Sequence, residues 1–327
     1  MKILITGCCG FIGFHLSLFL LKKNFKIYGI DTINAYYDIS LKKNRLQILK
    51  KFNNFNFSKF DISNVKKLNS FFDKNQINLI INLAAYAGVQ YSLINPDVYF
   101  KTNEIGFYNL LENAKRKKIK KIIFASSSSV SGSNASGFSK ESDKTDTPIS
   151  LYAATKKNNE ILAHFYSTHY KIKIIGVRFF TAYGPFGRPD LSIYKFVNAI
   201  QKEKKIILNN YGNHYRDFTY IDDVIKCLFK LIKLKRFNKF DRKNNSLFQI
   251  FNLGVGKKIK ITKIVKILEK LIGKKATTEF GPRKKGDIIS SKSSTKKLYR
   301  NINYRPKTSI YRGLSLFINW FDSYKKN

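Results

Sequence analysis

Lys2-Ile3-Leu4-Ile5-Thr6-Gly7-Cys8-Cys9-Gly10-Phe11-Ile12-Gly13 lies at the start of the chain. A short apolar run stopped by glycine reads as a buried parallel strand. Residues 11–23 then carry helical periodicity. Gly7, Gly10 and Gly13 therefore fall in a turn between a strand and a helix, where a phosphate-binding loop is needed. Glycine lets the backbone approach a pyrophosphate, and the helix start offers free N–H groups and the positive end of its dipole. The segment predicts a dinucleotide site whose contacts include Gly7, Gly10, Phe11, Ile12 and Gly13.

Outward from this turn, residues 26–30 form a second strand ending at Asp31. A carboxylate there accepts hydrogen bonds from the adenosine ribose hydroxyls and repels a 2′-phosphate, so the expected cofactor is NAD and not NADP. Further strands are expected at 78–83, 120–125 and 173–178, with helices near 64–74, 95–117 and 150–169. Alternating strands and helices predict an α/β fold, a Rossmann-type doubly wound parallel sheet. After about residue 180 the texture changes. Gly, Pro and aromatic residues crowd 183–190. Helices near 192–203, 221–235 and 261–272, a strand near 248–252, a polar loop at 236–246, a loop at Lys284–Asp287 and a closing helix with Trp320 follow. The division expected is a dinucleotide-binding domain at 1–180 and a smaller substrate-binding part at 181–327, with segments such as 217–235 returning to the first.

Composition narrows the classes. The 327 residues are 43% apolar, enough for a substantial core. No run of apolar residues is long enough to span a bilayer, and the first residues run directly into the glycine turn rather than into a leader, so a cytoplasmic protein away from membranes is expected. The formal charge is +40, but only eleven of the 61 basic residues are arginine, and lysine is spread over the whole chain. Nucleic-acid readers cluster their charge and rely on arginine. No nucleic-acid partner is expected, although a positive field suits anionic nucleotides. Cys8, Cys9 and Cys227 make neither a disulfide framework nor a metal spacing, and the four histidines show no ligand pattern, so no metal is expected.

Tyr152-Ala153-Ala154-Thr155-Lys156 opens a predicted helix. Its two polar residues share one helical face. An ammonium beside a phenol favours the phenolate, lowering a tyrosine pKa toward neutrality. Such a tyrosine can exchange a proton with a sugar hydroxyl while a cofactor takes hydride. Nineteen tyrosines among so many lysines would give about three such spacings by accident. The chain holds one, 25 residues beyond Ser127, which follows a strand where an open α/β sheet places its chemistry.

With Gly7–Gly13, Asp31, Ser126-Ser127-Ser128-Ser129-Val130, Tyr152/Lys156 and Arg178-Phe179-Phe180-Thr181, the chain resembles the extended short-chain dehydrogenase/reductases of the NAD-dependent epimerase/dehydratase family. Three stretches are similar to the UDP-glucuronate 4-epimerases in particular: Ser150–Lys157, Arg178–Asp190 and Arg216–Asp223. The resemblance implies NAD as tightly held cofactor. It makes Tyr152 the acid/base on the sugar O4, Lys156 the residue that holds the nicotinamide ribose, and Ser127 a hydrogen-bond partner of O4. Asp61 and Ile62 would flank the adenine, Leu83, Ala84 and Ala85 would line the cofactor groove, Asn103 would lie near the cofactor, and Phe180 would pack near the nicotinamide. Ser128 and Ser129 would face the substrate, Arg216 the UDP pyrophosphate, and Thr181 and Arg188 the sugar carboxylate. The implied reaction converts UDP-glucuronate to UDP-galacturonate through a 4-keto sugar. The implied assembly is a homodimer joined through helices near 95–117 and 150–169.

Three positions depart from that pattern: Gln90 where arginine is usual, Ser131 where tyrosine is usual, and Ser294 where an acid is common. Rival readings remain open. A nucleotide-sugar dehydratase or decarboxylase resembles a serine run carrying an acid, where this chain has Ser128 and Ser129. A neutral UDP-hexose 4-epimerase differs mainly at the carboxylate contact. A non-catalytic, basic nucleotide- or RNA-binding relative of the fold would not need an intact Tyr152, Lys156 and Ser127.

Overall fold

A computed structural model describes residues 1–132, 137–234 and 246–326. Seven strands form one sheet: β1 (Lys2–Thr6), β2 (Lys26–Asp31), β3 (Phe55–Lys59), β4 (Leu79–Asn82), β5 (Lys121–Ser127), β6 (Lys173–Phe179) and β7 (Phe248–Leu253). Their order is β7-β6-β5-β4-β1-β2-β3 and every neighbouring pair is parallel. The chain reverses its winding direction between β1 and β4. The carboxyl ends of those two strands mark the crevice where such sheets bind ligands.

Alternate residues of each strand face opposite cores. Ile3, Ile5, Leu79, Ile81, Ile123, Ile175 and Val177 join the core under helices Phe11–Leu21 and Ile221–Lys233. Leu4, Ile80, Ile122, Phe124 and Ile174 join the other, under helices Val65–Lys74, Gly106–Arg116 and Leu151–Tyr170. Both faces are covered, which is why these strands read as nearly continuous apolar runs. Truncating a fully buried Ile5 or Leu110 to alanine is expected to cost about 2–5 kcal/mol.

The first core runs without a break into the C-terminal part through Phe196, Ile264, Leu268, Phe317 and Phe321. Helix Ile221–Lys233 packs on helix Phe11–Leu21. Its C-terminal carbonyls, Leu231 and Ile232, and that of Leu234 just beyond it accept hydrogen bonds from Lys121 Nζ at 2.9, 2.6 and 3.1 Å. A cation suits that end of a helix dipole, so at least this lysine is structural rather than solvated.

Short strand pairs form the roof over the sheet: Thr181–Tyr183 with Phe218–Tyr220, Ile206–Leu208 with Thr278–Phe280, Tyr215–Arg216 with Ile259–Lys260, and Phe138–Ser139 with Lys292–Ser293. Sequence periodicity does not reveal pieces this short. It also misses helix Ile39–Lys50 and the edge strand β3. The single helix expected at 95–117 is three segments: Pro96–Tyr99, a π-helical stretch Phe100–Ile105, and Gly106–Arg116. Strand β5 runs two residues further than expected, so Ser127 ends the strand instead of following it. The polar loop expected at 236–246 lies, apart from Ser246, outside the described residues.

Candidate active site

The glycine turn leaves β1 with Gly7 at φ +71°. A Cβ on Gly7 would stand 2.7 Å from the Ala84 nitrogen, and one on Gly13 would stand 2.1 Å from the Gly7 oxygen. Neither position has room for a side chain, so the turn, the end of β4 and the helix start are held in close approach. Gly10 N–H donates to Gly7 O at 2.9 Å. The Asp31 carboxylate accepts from Cys9 N–H at 2.9 Å and from Ile33 N–H at 2.8 Å, which fixes it beside the turn. No side chain caps helix Phe11–Leu21. The first-turn N–H groups of Phe11, Ile12 and Gly13 are therefore available to an anion. This donor set fits a dinucleotide pyrophosphate with a ribose at Asp31. Cys8, Cys9 and Asp31 bring potential ligand atoms within 4.8 Å of one another. Burial, first of all, holds the Cys8 thiol well above its ordinary pKa, and Asp31 is engaged by the backbone, so the cluster reads as turn packing.

A cleft of about 400 Å³ extends from this turn across the carboxyl ends of the strands. Its walls hold Gly7, Gly10, Phe11, Ile12, Gly13, Asp31, Asp61, Ile62, Leu83, Ala84, Ala85, Ser127, Ser128, Ser129, Tyr152, Lys156, Phe180, Thr181, Arg188 and Arg216. Asn103 is not in the wall. It is buried behind it on the π-helical stretch, where its side chain bonds the backbone N–H and C=O of Tyr86, both at 3.0 Å, and the Thr155 hydroxyl at 3.1 Å. It thereby holds the segment after β4 against the helix that carries Tyr152.

That helix begins at Leu151 and is capped by Ser150, which accepts from Ala153 N–H at 3.1 Å. Tyr152 and Lys156 lie one turn apart. Lys156 is buried and donates from Nζ to the Ala125 carbonyl at 2.9 Å. Burial lowers its pKa to about 8, with Glu104 pulling upward. Sequence reasoning expected Tyr152 to be lowered toward neutrality. The geometry gives the opposite direction: burial raises the phenol, while a hydrogen bond with Ser127 and the charge of Arg188 pull it down. The physical reason is that Lys156 directs its ammonium at a main-chain carbonyl, and the phenol is desolvated. Ser127 also accepts from Ser129 N–H at 3.1 Å, which shapes the 3₁₀ turn Ser128–Ser131. Ser126 faces away, donating to Glu160 at 2.5 Å, and Glu160 pairs bidentately with buried Arg178 at 2.8 Å for each contact.

Opposite this wall, Phe180 N–H bonds Leu253 O and Thr181 N–H bonds Asp217 O, each at 3.0 Å. Arg188 follows in the next loop. It lies over the Tyr36 ring at 5.3 Å and forms a two-pronged pair with Asp190, Nε to Oδ1 at 3.0 Å and Nη2 to Oδ2 at 2.5 Å. Arg216 is likewise held by Asp287 at 2.8 Å. Both arginines expected to meet substrate anions thus already have a carboxylate partner.

Sequence reasoning passed over Asn34, Tyr36, Tyr37 and Lys42, which also line the cleft. Lys42 bonds the Asn34 carbonyl and side-chain oxygens at 2.9 and 2.6 Å and lies over the Tyr37 ring. The available signal was Asp38, the helix cap that bonds Ser40 N–H at 2.8 Å. The departing residues find local roles. Gln90 donates to the Lys285 carbonyl at 2.8 Å, tying the 284–287 loop across the cleft mouth. Ser294 N–H bonds Ser139 O at 2.8 Å. The buried Ser131 hydroxyl has no partner among the described residues.

The profile of the GDP-mannose 4,6 dehydratase family matches residues 4–316. A UDP-glucuronate 4-epimerase of Thermodesulfobacterium geofontis is 42% identical over 97% of this chain and 95% of its own length. Protein CapI of Staphylococcus aureus is 40% identical over the full length of both. The crystal structure of a UDP-glucuronic acid 4-epimerase from Bacillus cereus, in complex with UDP-glucuronic acid and NAD, superposes with a TM-score of 0.90 at 32% identity, covering 99% of this chain and all of that one. With a dinucleotide turn, a Tyr-Lys-Ser group in the same cleft and a match along nearly its whole length, the chain belongs to the NAD-dependent nucleotide-sugar epimerase/dehydratase family.

Proposed function

We propose that this enzyme inverts C4 of a UDP-sugar, converting UDP-glucuronate to UDP-galacturonate and back. The observation that carries the reading is the distribution of acids in the cleft. Among the described residues of its walls, the carboxylates are Asp31, Asp61 and Asp287. The first two belong to the adenosine end, and Asp287 is bound to Arg216. No carboxylic acid stands in the serine run beside Tyr152. Elimination of water would call for an additional acid there, whereas reversible oxidation and reduction at one carbon needs only the tyrosine.

The roles follow from the chemistry. NAD, when bound, takes hydride from C4 and returns it to the other face of the 4-keto sugar. Tyr152 removes the O4 proton and later gives it back, with the Ser127 hydroxyl positioning O4. Lys156 holds the nicotinamide ribose from the same helix face as Tyr152. Arg216 leaves Asp287 for the pyrophosphate. Arg188 and Thr181 hold the sugar carboxylate while the ring turns over, which also opposes loss of carbon dioxide from the β-keto acid. One observation favours a second reading, a neutral UDP-hexose substrate: Asp190 already balances the charge of Arg188. Incubation with UDP-glucuronate followed by NMR of the product tests the proposal. UDP-galacturonate supports it. Inertness toward UDP-glucuronate with rapid turnover of UDP-glucose supports the second reading.

We also propose a homodimer. Phe100 and Ile105 on the π-helical stretch, Tyr108 on helix Gly106–Arg116, and Ile161 and Phe165 on helix Leu151–Tyr170 are exposed large apolar side chains, and such side chains on neighbouring helices suit a partner. The same helices from a second copy would cover them with twofold symmetry. Light scattering at micromolar concentration checks this, and a monomer there contradicts it.

A further inference from the structure

Arg45 lies on the inner side of helix Ile39–Lys50 and is completely buried. Among the described residues no carboxylate lies within ion-pair distance of it. Its partners are neutral. Nη1 donates to the Cys9 carbonyl at 2.8 Å and to the Tyr37 hydroxyl at 2.7 Å, and Nη2 donates to the Phe186 carbonyl at 2.5 Å. Nε has no partner among the described residues. A buried guanidinium without a direct carboxylate partner is costly, so its retention calls for a role.

The two carbonyls belong to different halves of the site. Cys9 is in the glycine turn. The peptide between Cys9 and Gly10 is fixed at both ends, its carbonyl by Arg45 and its N–H by the Gly7 oxygen at 2.9 Å. Phe186 is in the loop that leads from strand Thr181–Tyr183 to Arg188. It adopts φ +55°, a left-handed conformation that a bulky residue holds only when its surroundings impose it. Its ring packs on Phe14 and Trp320, and the neighbouring Pro185 carbonyl is bonded by the His15 ring at 2.8 Å. The Arg188 loop is thus strapped to the first helix of the dinucleotide half, and Arg45 is the link between strap and turn.

We propose that Arg45 is a positioning residue that couples the two ligand sites, so that filling the dinucleotide site strengthens binding of the nucleotide-sugar. One planar guanidinium sets both the peptide that shapes the cofactor turn and the strap that carries Arg188. Its charge reinforces the arrangement, because a pyrophosphate bound at the turn adds negative charge to that of Asp31, which is bonded to Cys9 N–H. Lysine cannot substitute, since an ammonium is a point charge without the two-armed fork. The inference does not depend on which sugar is turned over.

The test uses the full chain with Arg45→Lys and Arg45→Met, and only NAD and UDP as probes. Calorimetry measures the UDP dissociation constant with and without saturating NAD, and by reciprocity NAD affinity must change by the same factor when UDP is present. The wild-type chain is expected to bind UDP roughly 5-fold or more tighter with NAD, the lower end of ordinary coupling. In both variants NAD is expected to bind on the order of 10-fold more weakly, and the coupling factor to collapse toward unity. Variants with a lowered Tm but unchanged NAD affinity and unchanged coupling overturn the proposal in favour of a purely structural arginine. If neither variant folds, hydrogen exchange on the wild-type chain decides. NAD alone is expected to slow exchange across residues 184–190, and indifference of that segment to NAD overturns the proposal.

Discussion

Two walls of one cleft are built in different ways. On one wall, Tyr152 and Lys156 share a turn of a capped helix, Ser127 ends the central strand β5, and all three are held by local geometry and by the sheet. On the other, Arg188 and Arg216 come from loops and short strands, and each is held by an aspartate, Asp190 and Asp287. The first wall is held by regular secondary structure, which suits proton transfer at a fixed point. On the proposed reading, the second exchanges an internal carboxylate for substrate anions, which suits a sugar that changes orientation. Chemistry is therefore expected to depend steeply on the first wall, and substrate choice on the second.

The largest effect is expected at Tyr152. Tyr152→Phe should preserve the fold and bound NAD while turnover falls by about 100-fold or more. Steady-state rates with NAD content measured in parallel check this. Near-normal turnover would move the reaction centre elsewhere and remove the contrast between the walls.

Arg188→Ala comes next. Activity on UDP-glucuronate is expected to fall about 10- to 100-fold, the scale of a lost charged hydrogen bond, with a smaller loss on UDP-glucose. Equal losses on both sugars would mean that the second wall positions the nucleotide but does not select the sugar.

The first wall was legible in the sequence because its residues are coded at short range. A glycine turn after an apolar run, a tyrosine four residues before a lysine and a serine closing a strand are local patterns that the sheet then brings together. The parallel sheet follows from the same alternation, but its strand order does not, and β3 and helix Ile39–Lys50 escape it. That helix turns Lys42 and Arg45 inward with Leu41, Leu46 and Leu49, so charged residues interrupt its apolar stripe and blur the period. The second wall was only half legible. Arg188 and Arg216 stand out through family resemblance, but their pairing with Asp190 and Asp287, the contact of Gln90 with Lys285 and the strap at Phe186 are tertiary. Nothing in local spacing encodes them.

Asp31 bears on cofactor choice at the glycine-turn end of the cleft. Asp31→Ala is expected to loosen NAD by about 10-fold through loss of the ribose hydrogen bonds expected at this carboxylate, and to admit NADP through loss of its repulsion of a 2′-phosphate. NADP should gain relative to NAD. Competitive binding of the two cofactors reads this out, and unchanged discrimination would place the ribose elsewhere.

The pH dependence is expected to be gentler. Lys156 is proposed to act as an ammonium, and its pKa is lowered to about 8, so turnover should decline as pH rises above that value. Stability should move the other way. A lysine whose folded pKa lies below its unfolded value binds fewer protons when folded, so stability rises between about 8 and the ordinary lysine range. Lys121, also lowered to about 8 by burial, adds in the same direction. Turnover and Tm recorded on the same samples separate the two effects. A parallel loss of both above pH 8 would show unfolding instead of titration.

On the proposed reading, hydride leaves C4 and returns to the same carbon from the opposite side. UDP-glucuronate carrying deuterium at C4, incubated with the purified enzyme and followed by NMR, tests it most directly. The expected product is UDP-galacturonate with deuterium retained at C4, all six sugar carbons intact and no deuterium released to solvent. Protium at C4 in the product, or a five-carbon sugar formed with loss of carbon dioxide, would contradict it.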